Sequence, residues 1–306
     1  MNSEQIYALG VLQYPALGRM LQRAERGCEL SNWALNPSRP DTGSVLALDD
    51  AGFDTKTPHG VSGASLFPIL NAIDSIAVIH GVLDRVPTMT PFNHHPASVM
   101  SLCRTAFESS SQSIWMLSPT EREGRRRRAA GASTVGAGQK YSHLDTELKA
   151  HDAGKQTIPE PYLSEMRDHL KFAKEELDEV RTINSEPANF SKMVTVAGRW
   201  LQENPPPHLT SELGSLDLST RIDQQYRICS SFTHGYNWAT DFVAAEGIGG
   251  IAKMLADAIA VAVYVTESAV CLFEAQATRW DSTSSRKQNH PSRLQPTVDA
   301  WASIYV

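Results

Sequence analysis

Apolar residues recur along most of the chain at intervals of three and four, the spacing that gathers side chains on one face of an α-helix. Strict apolar-polar alternation bounded by turns is nearly absent, so strands are not expected. The pattern is clearest over 163–183, where Leu163, Met166, Leu170, Ala173, Leu177, Val180 and Ile183 mark one stripe and lysines and glutamates fill the rest. Leu66, Leu70, Ile73, Ala77, Leu83 and Val86 predict a second helix, with Pro68 in its first turn and Pro87 as its stop. Pro96 to Leu117 reads as a third, apolar through Val99, Leu102, Cys103, Ala106, Ile114 and Leu117.

Further helices are expected around Glu4 to Glu25, Thr120 to Ala130 and Phe190 to Leu201. Residues 36–59, rich in Asn, Pro, Ser, Asp and Gly, read as loop, and Gly131 to Gly138 as a flexible connector. Pro205, Pro206 and Pro207 form a rigid break. Beyond it, Ser219 to Ala245 and Gly250 to Trp280 predict two helices joined by a short glycine-rich turn, hence antiparallel neighbours. The fold expected is all-α: a multi-helix bundle with an antiparallel C-terminal helix pair and long irregular loops. It divides into an N-terminal helix and covering arm (1–60), a main helical domain (61–280) and a polar tail (281–306) whose end docks back on the body.

A chain of 306 residues, 41% hydrophobic, is long enough to bury a substantial core. A formal charge of -6 gives no global attraction to nucleic acid, so any polyanion contact must be local. Cysteines 28, 103, 229 and 271 form no CxxC unit, which argues against a disulfide framework or a zinc knuckle; Cys229 and Cys271 read as buried thiols. The first twelve residues lack the pattern of a secretory signal, making the cytoplasm the expected location. Lys253, Asp257 and Glu267 interrupt the apolar stretch 248–273, which reads as a buried helix with no membrane partner.

Candidate chemistry lies on two polar stripes within apolar helices. Arg227 and His234 are seven residues apart, close to two helical turns, and Ser231, Trp238 and Asp241 continue their stripe. Arg104 and Glu108 are one turn apart on the 96–117 helix and suited to an ion pair. If these helices face each other, Glu108 is placed to orient Arg227 or to take a proton from His234. His95, Arg104, Glu108, Trp115, His234 and Trp238 would line an interhelical cavity for a small molecule beneath the 36–59 or 131–158 loops, with Ser231 and Asp241 as further binding candidates.

The Arg-x6-His spacing of Arg227 and His234, with the acidic helix before it, resembles the HEPN superfamily of helical domains. That resemblance implies metal-independent RNA cleavage by a homodimer, with Arg227 stabilising phosphate, His234 transferring a proton and Glu108 orienting them. The same groups also suit an internal polar network that fixes helix register. No metal site is expected, because no HExxH or ExxH pair occurs and the adjacent His94 and His95 do not point naturally at one ion. The polar group His143, Asp145, Glu147 and His151 fits exposed side chains equally well. Without a Walker loop, GxGxxG or GxSxG elbow, no cofactor is called for. The run Arg125 to Arg128 reads as a solvated helix face, or as a contact for phosphate or a partner protein.

Overall fold

The most apolar stretch of the chain folds as one long helix, Ile248–Ala277, and other elements are arranged around it. The computed structural model describes residues 3–53, 57, 59–86, 95–214, 217–239, 241, 248–281, 284 and 286–305, the side chains of 3–15, 248 and 249 excepted. These residues form eleven α-helices and no strand: α1 (Ser3–Leu35), α2 (Val45–Asp50), α3 (Gly60–Asp84), α4 (Pro96–Leu117), α5 (Arg122–Asp152), α6 (Tyr162–Arg181), α7 (Phe190–Glu203), α8 (Thr210–Leu213), α9 (Leu218–His234), α10 (Ile248–Ala277) and α11 (Gln295–Ala302). The chain is thus the all-α multi-helix bundle its periodicity predicts, with irregular connections at 36–44, 278–281 and 286–291.

Helices α1, α3, α4 and α10 pack against one another as the central layer. On the outer side of α4 lie α7 and α9, in contact with each other, and α9 also meets α10 as the antiparallel C-terminal pair. A helix that is apolar all round must be buried, and nearly every side chain of α10 from Leu255 to Ala277 is. Small residues let α4 approach its neighbours: Ser110 donates to Thr266 at 3.0 Å and Ser113 to the Ser65 carbonyl at 2.7 Å. Gly60–Asp84 and Gly250–Ala277 are long and apolar enough to cross a membrane by length and composition alone. The most apolar window of the second is 94% buried by the other helices, as a core element is; that of the first is 44% buried, and α3 turns Asp74 and Asp84 outward.

Buried carboxylates fasten distant segments to this layer. Glu267 on α10 accepts from Arg26 of α1 (Nε to Oε1, 2.8 Å), lies 2.5 Å from Arg293 and 3.3 Å from His208. One turn pair further on, Glu274 accepts from Trp33 at 2.7 Å and from Arg286 at 2.7 and 2.9 Å. Asp49 pairs with Arg125 at 2.5 Å, and Arg26 also reaches Glu212 at 2.8 Å. The C-terminal segment 286–302 is therefore held by ionic contacts as well as by Leu294, Val298 and Trp301 in the core.

Four local expectations are corrected. Helix α3 begins at Gly60, so Pro68 lies in its interior and not in its first turn; Asp50 caps the new start, accepting from the amides of Val61 (2.7 Å) and Ser62 (3.0 Å). The 36–59 segment contains the short helix α2, capped by Ser44. Gly131 to Gly138 is no connector, because α5 runs unbroken through it. Alanines 129, 130, 132 and 137 carry the helix there, and Gly131 admits the 182–189 segment, whose Glu186 carbonyl would stand 2.4 Å from an added Cβ. Finally, α9 ends at His234 because Gly235 adopts φ +67° and its amide turns back to the Ser231 and Phe232 carbonyls. Trp238 and Asp241 therefore lie beyond the helix and do not continue its stripe; residues 240 and 242–245 of the expected longer helix lie outside the described residues.

Candidate functional site

Where α4 crosses α9, four polar side chains join in a chain of hydrogen bonds. Arg104 and Glu108, one turn apart on α4, pair through Nε and Nη2, each 3.0 Å from Oε1. From α9, His234 Nε2 lies 2.7 Å from Arg104 Nη1, and the Tyr226 hydroxyl donates to Glu108 Oε1 at 3.0 Å. A guanidinium can only donate, so Nε2 of His234 accepts and the ring proton sits on Nδ1. Burial, together with the negative charge of Glu108, pushes the Tyr226 phenol above its ordinary range, which keeps it a proton donor. Beneath this chain the α4–α9 seam is apolar: Cys103 and Cys229 are wholly buried, the Cys229 thiol lies 3.6 Å from the Met100 sulfur, and burial raises the Cys103 thiol well above its usual value.

The structure thus joins Arg104, Glu108 and His234 and adds Tyr226, which the spacing of polar residues did not single out. Tyr226 reads as a helix-face aromatic in sequence, and only the opposition of α9 to α4 reveals that its hydroxyl meets Glu108. Arg227 does not join this group. It bonds Asp223 on its own helix at 2.8 Å with its side chain 70% exposed.

Tyr226 also forms the back wall of a cleft of about 300 Å³ between α7 and α9. Ser191 and Thr195 of α7 face Ser230 and Ser231 of α9 across it. Asp223 and Arg227 stand on one side, and Tyr236 and Trp238, just past the end of α9, stand at the mouth. Ser231 donates to the Tyr236 carbonyl at 3.0 Å, and the His234 and Tyr236 rings lie 5.6 Å apart. The turn after α9 therefore connects the cleft mouth to the polar chain behind it.

The other expected site residues lie elsewhere. Trp115 is fully buried beneath the Arg128 guanidinium, 5.3 Å from its ring, so it lines no cavity shared with the 40%-exposed Trp238. The 131–152 segment expected to roof such a cavity is helical instead. His95 immediately precedes α4 with φ +48° and borders a separate cleft of about 450 Å³ beside Val78, Val82 and Arg85. Asp241 is exposed, its amide bonded to the Trp238 carbonyl at 3.2 Å.

Among the described residues no three His, Cys, Asp or Glu side chains converge as a metal would require. Asp145 is paired with Lys149 at 2.7 Å, and His151 Nδ1 accepts the Ile158 amide at 3.1 Å. The Arg125 to Arg128 run is not a solvated face. Arg125 is buried on Asp49, Arg126 lies over Phe53 at 5.2 Å, and Arg128 donates to the Trp115 carbonyl at 2.6 Å. Arg127 remains 40% exposed and pairs with Glu186 at 3.5 Å, so the run joins α2, α4 and the 182–189 segment to α5.

Comparison with known proteins yields no match, whether with protein-family models, curated proteins or solved structures. The functional reading rests on the geometry of the chain itself.

Proposed function

We propose that this protein binds a small polar molecule in the cleft between α7 and α9. The observation that carries the reading is the pairing of a hydroxyl-lined cleft of about 300 Å³ with a back wall, Tyr226, that is itself fixed by Glu108 and Arg104. A cleft of that size is at the lower end of those that hold small ligands. Fixing Tyr226 before a ligand arrives removes part of the ordering cost of binding. Screening polar compounds of single-ring size by thermal shift tests the reading. Hits should raise the melting temperature of the parent protein and not that of Thr195→Trp, whose indole would fill the cleft from α7. Stabilisation that is equal in both proteins places binding elsewhere and overturns the reading.

A second reading, metal-independent RNA cleavage of the HEPN kind, is favoured by one observation: Arg227 and His234 are both exposed on α9. In it, Arg227 keeps its Nη groups for a phosphate while Nε holds Asp223, and His234 must either use Nδ1 or release Nε2 from Arg104. Parent protein incubated with assorted RNAs in chelator should then cleave them, and His234→Ala should not. Equal cleavage by both, or none by either, removes this reading.

A further inference from the structure

The groups lining the α7–α9 cleft select among polar ligands. We propose that its occupant is a neutral pyranose sugar, an inference that rests on the cleft being a ligand site. Hydroxyls predominate in the lining: Ser191, Thr195 and Ser230 each carry an oxygen that both donates and accepts, and Tyr226, whose proton goes to Glu108, presents an acceptor oxygen. A sugar offers dual-purpose groups around a ring, so it can meet the serine and threonine hydroxyls in either sense and donate to the Tyr226 oxygen.

The charged groups in the cleft come as a pair. Asp223 and Arg227 lie 2.8 Å apart, an acceptor beside a fork of donors, and together they add no net charge. Such a pair suits two neighbouring hydroxyls, one giving its proton to the carboxylate and the other accepting from the guanidinium. An anionic ligand bonding the Nη groups of Arg227, which is paired with Asp223 through Nε, would face that carboxylate at short range. The helix ends are balanced in the same way. Ser191 sits in the first turn of α7, where the partial charge is positive, and Ser230 and Ser231 approach the last turn of α9, where it is negative.

Two aromatic side chains complete the match. Tyr236 and Trp238 stand at the mouth 60% and 40% exposed, flat apolar surfaces with polar edges. Surfaces of this kind cover the C–H face of a sugar ring while leaving its hydroxyls to the polar wall. With about 300 Å³ available, the cleft accommodates one ring and leaves longer chains to run out past Trp238.

Saturation-transfer NMR on the full chain tests this, with glucose, galactose, N-acetylglucosamine and maltose as neutral probes and adenosine monophosphate as the charged aromatic control. At least one neutral sugar should receive saturation at its ring C–H protons, and the nucleotide should not. Trp238→Ala and Asp223→Asn should each weaken sugar binding about fivefold with unchanged far-ultraviolet circular dichroism. The second substitution is on an exposed helix face, so it keeps the test valid if loss of Trp238 disturbs the turn. Saturation of the nucleotide but of no sugar overturns the proposal and leaves the cleft standing as a ligand site. Sugar binding undiminished in both variants, or no sugar binding at all, also overturns it.

Discussion

Replacing Glu267 by Gln tests whether the ionic junction at the middle of α10 holds the fold together. Its side chain is fully buried and touches Arg26, Arg293 and His208, groups supplied by α1, the C-terminal segment and the turn before α8. Removing one partner of a buried pair costs about 3–5 kcal/mol, because the remaining charges lose their compensation. Here Arg26 keeps Glu212 at 2.8 Å and Arg293 keeps Glu29 at 2.7 Å, which places the expected loss near ~3 kcal/mol. Unfolding entropy of about 2.1 cal/mol/K per residue over this chain converts that into a fall in melting temperature of roughly 5 °C. Burial alone would raise the Glu267 carboxyl, but hydrogen bonds from His208 and Arg26 and the charges of Arg26 and Arg293 outweigh it and hold the carboxyl below its ordinary range. A group lowered in the folded state contributes its stability above the unfolded value of about 4.3 and loses it as pH falls through the folded value. Urea unfolding of parent and E267Q from pH 7 downward should therefore show a gap that is full at pH 7 and narrows below about pH 4. A gap under ~0.5 kcal/mol at pH 7, or one that does not change with acidification, refutes the reasoning.

Gly131→Ala should lower stability, reversing the usual gain of about 1 kcal/mol for alanine over glycine inside a helix, because its Cβ would meet the Glu186 carbonyl at 2.4 Å. Gly136→Ala, with nothing within 4 Å, should show the ordinary gain; if thermal unfolding ranks the two the other way, the α5 packing is wrong. Native protein should expose one of its four cysteines to Ellman's reagent, Cys28, and all four in denaturant. That reaction should quicken as pH rises above neutrality, since burial and the nearby Glu25 and Glu29 push the Cys28 thiol up; two or more thiols reacting in native buffer would contradict the closed α4–α9 seam.

The residue pattern alone was enough to establish the all-α class and the span of α4, because three- and four-residue periodicity and flanking prolines are local properties. It also supplied Arg104 with Glu108, whose contact is made within one helix turn. Tertiary structure decided the rest. Whether Arg125 meets water or Asp49 depends on where α2 lies, seventy-six positions earlier in the chain. Whether α5 breaks at its glycines depends on the segment that presses on Gly131. Arg227 and His234 share a helix face as their spacing says, yet Asp223 takes one and Arg104, brought by α4, takes the other. Tyr226 acquires its role in the same way, from a carboxylate 118 positions away. Spacing fixes which side chains share a face; only packing of the helices fixes what that face meets.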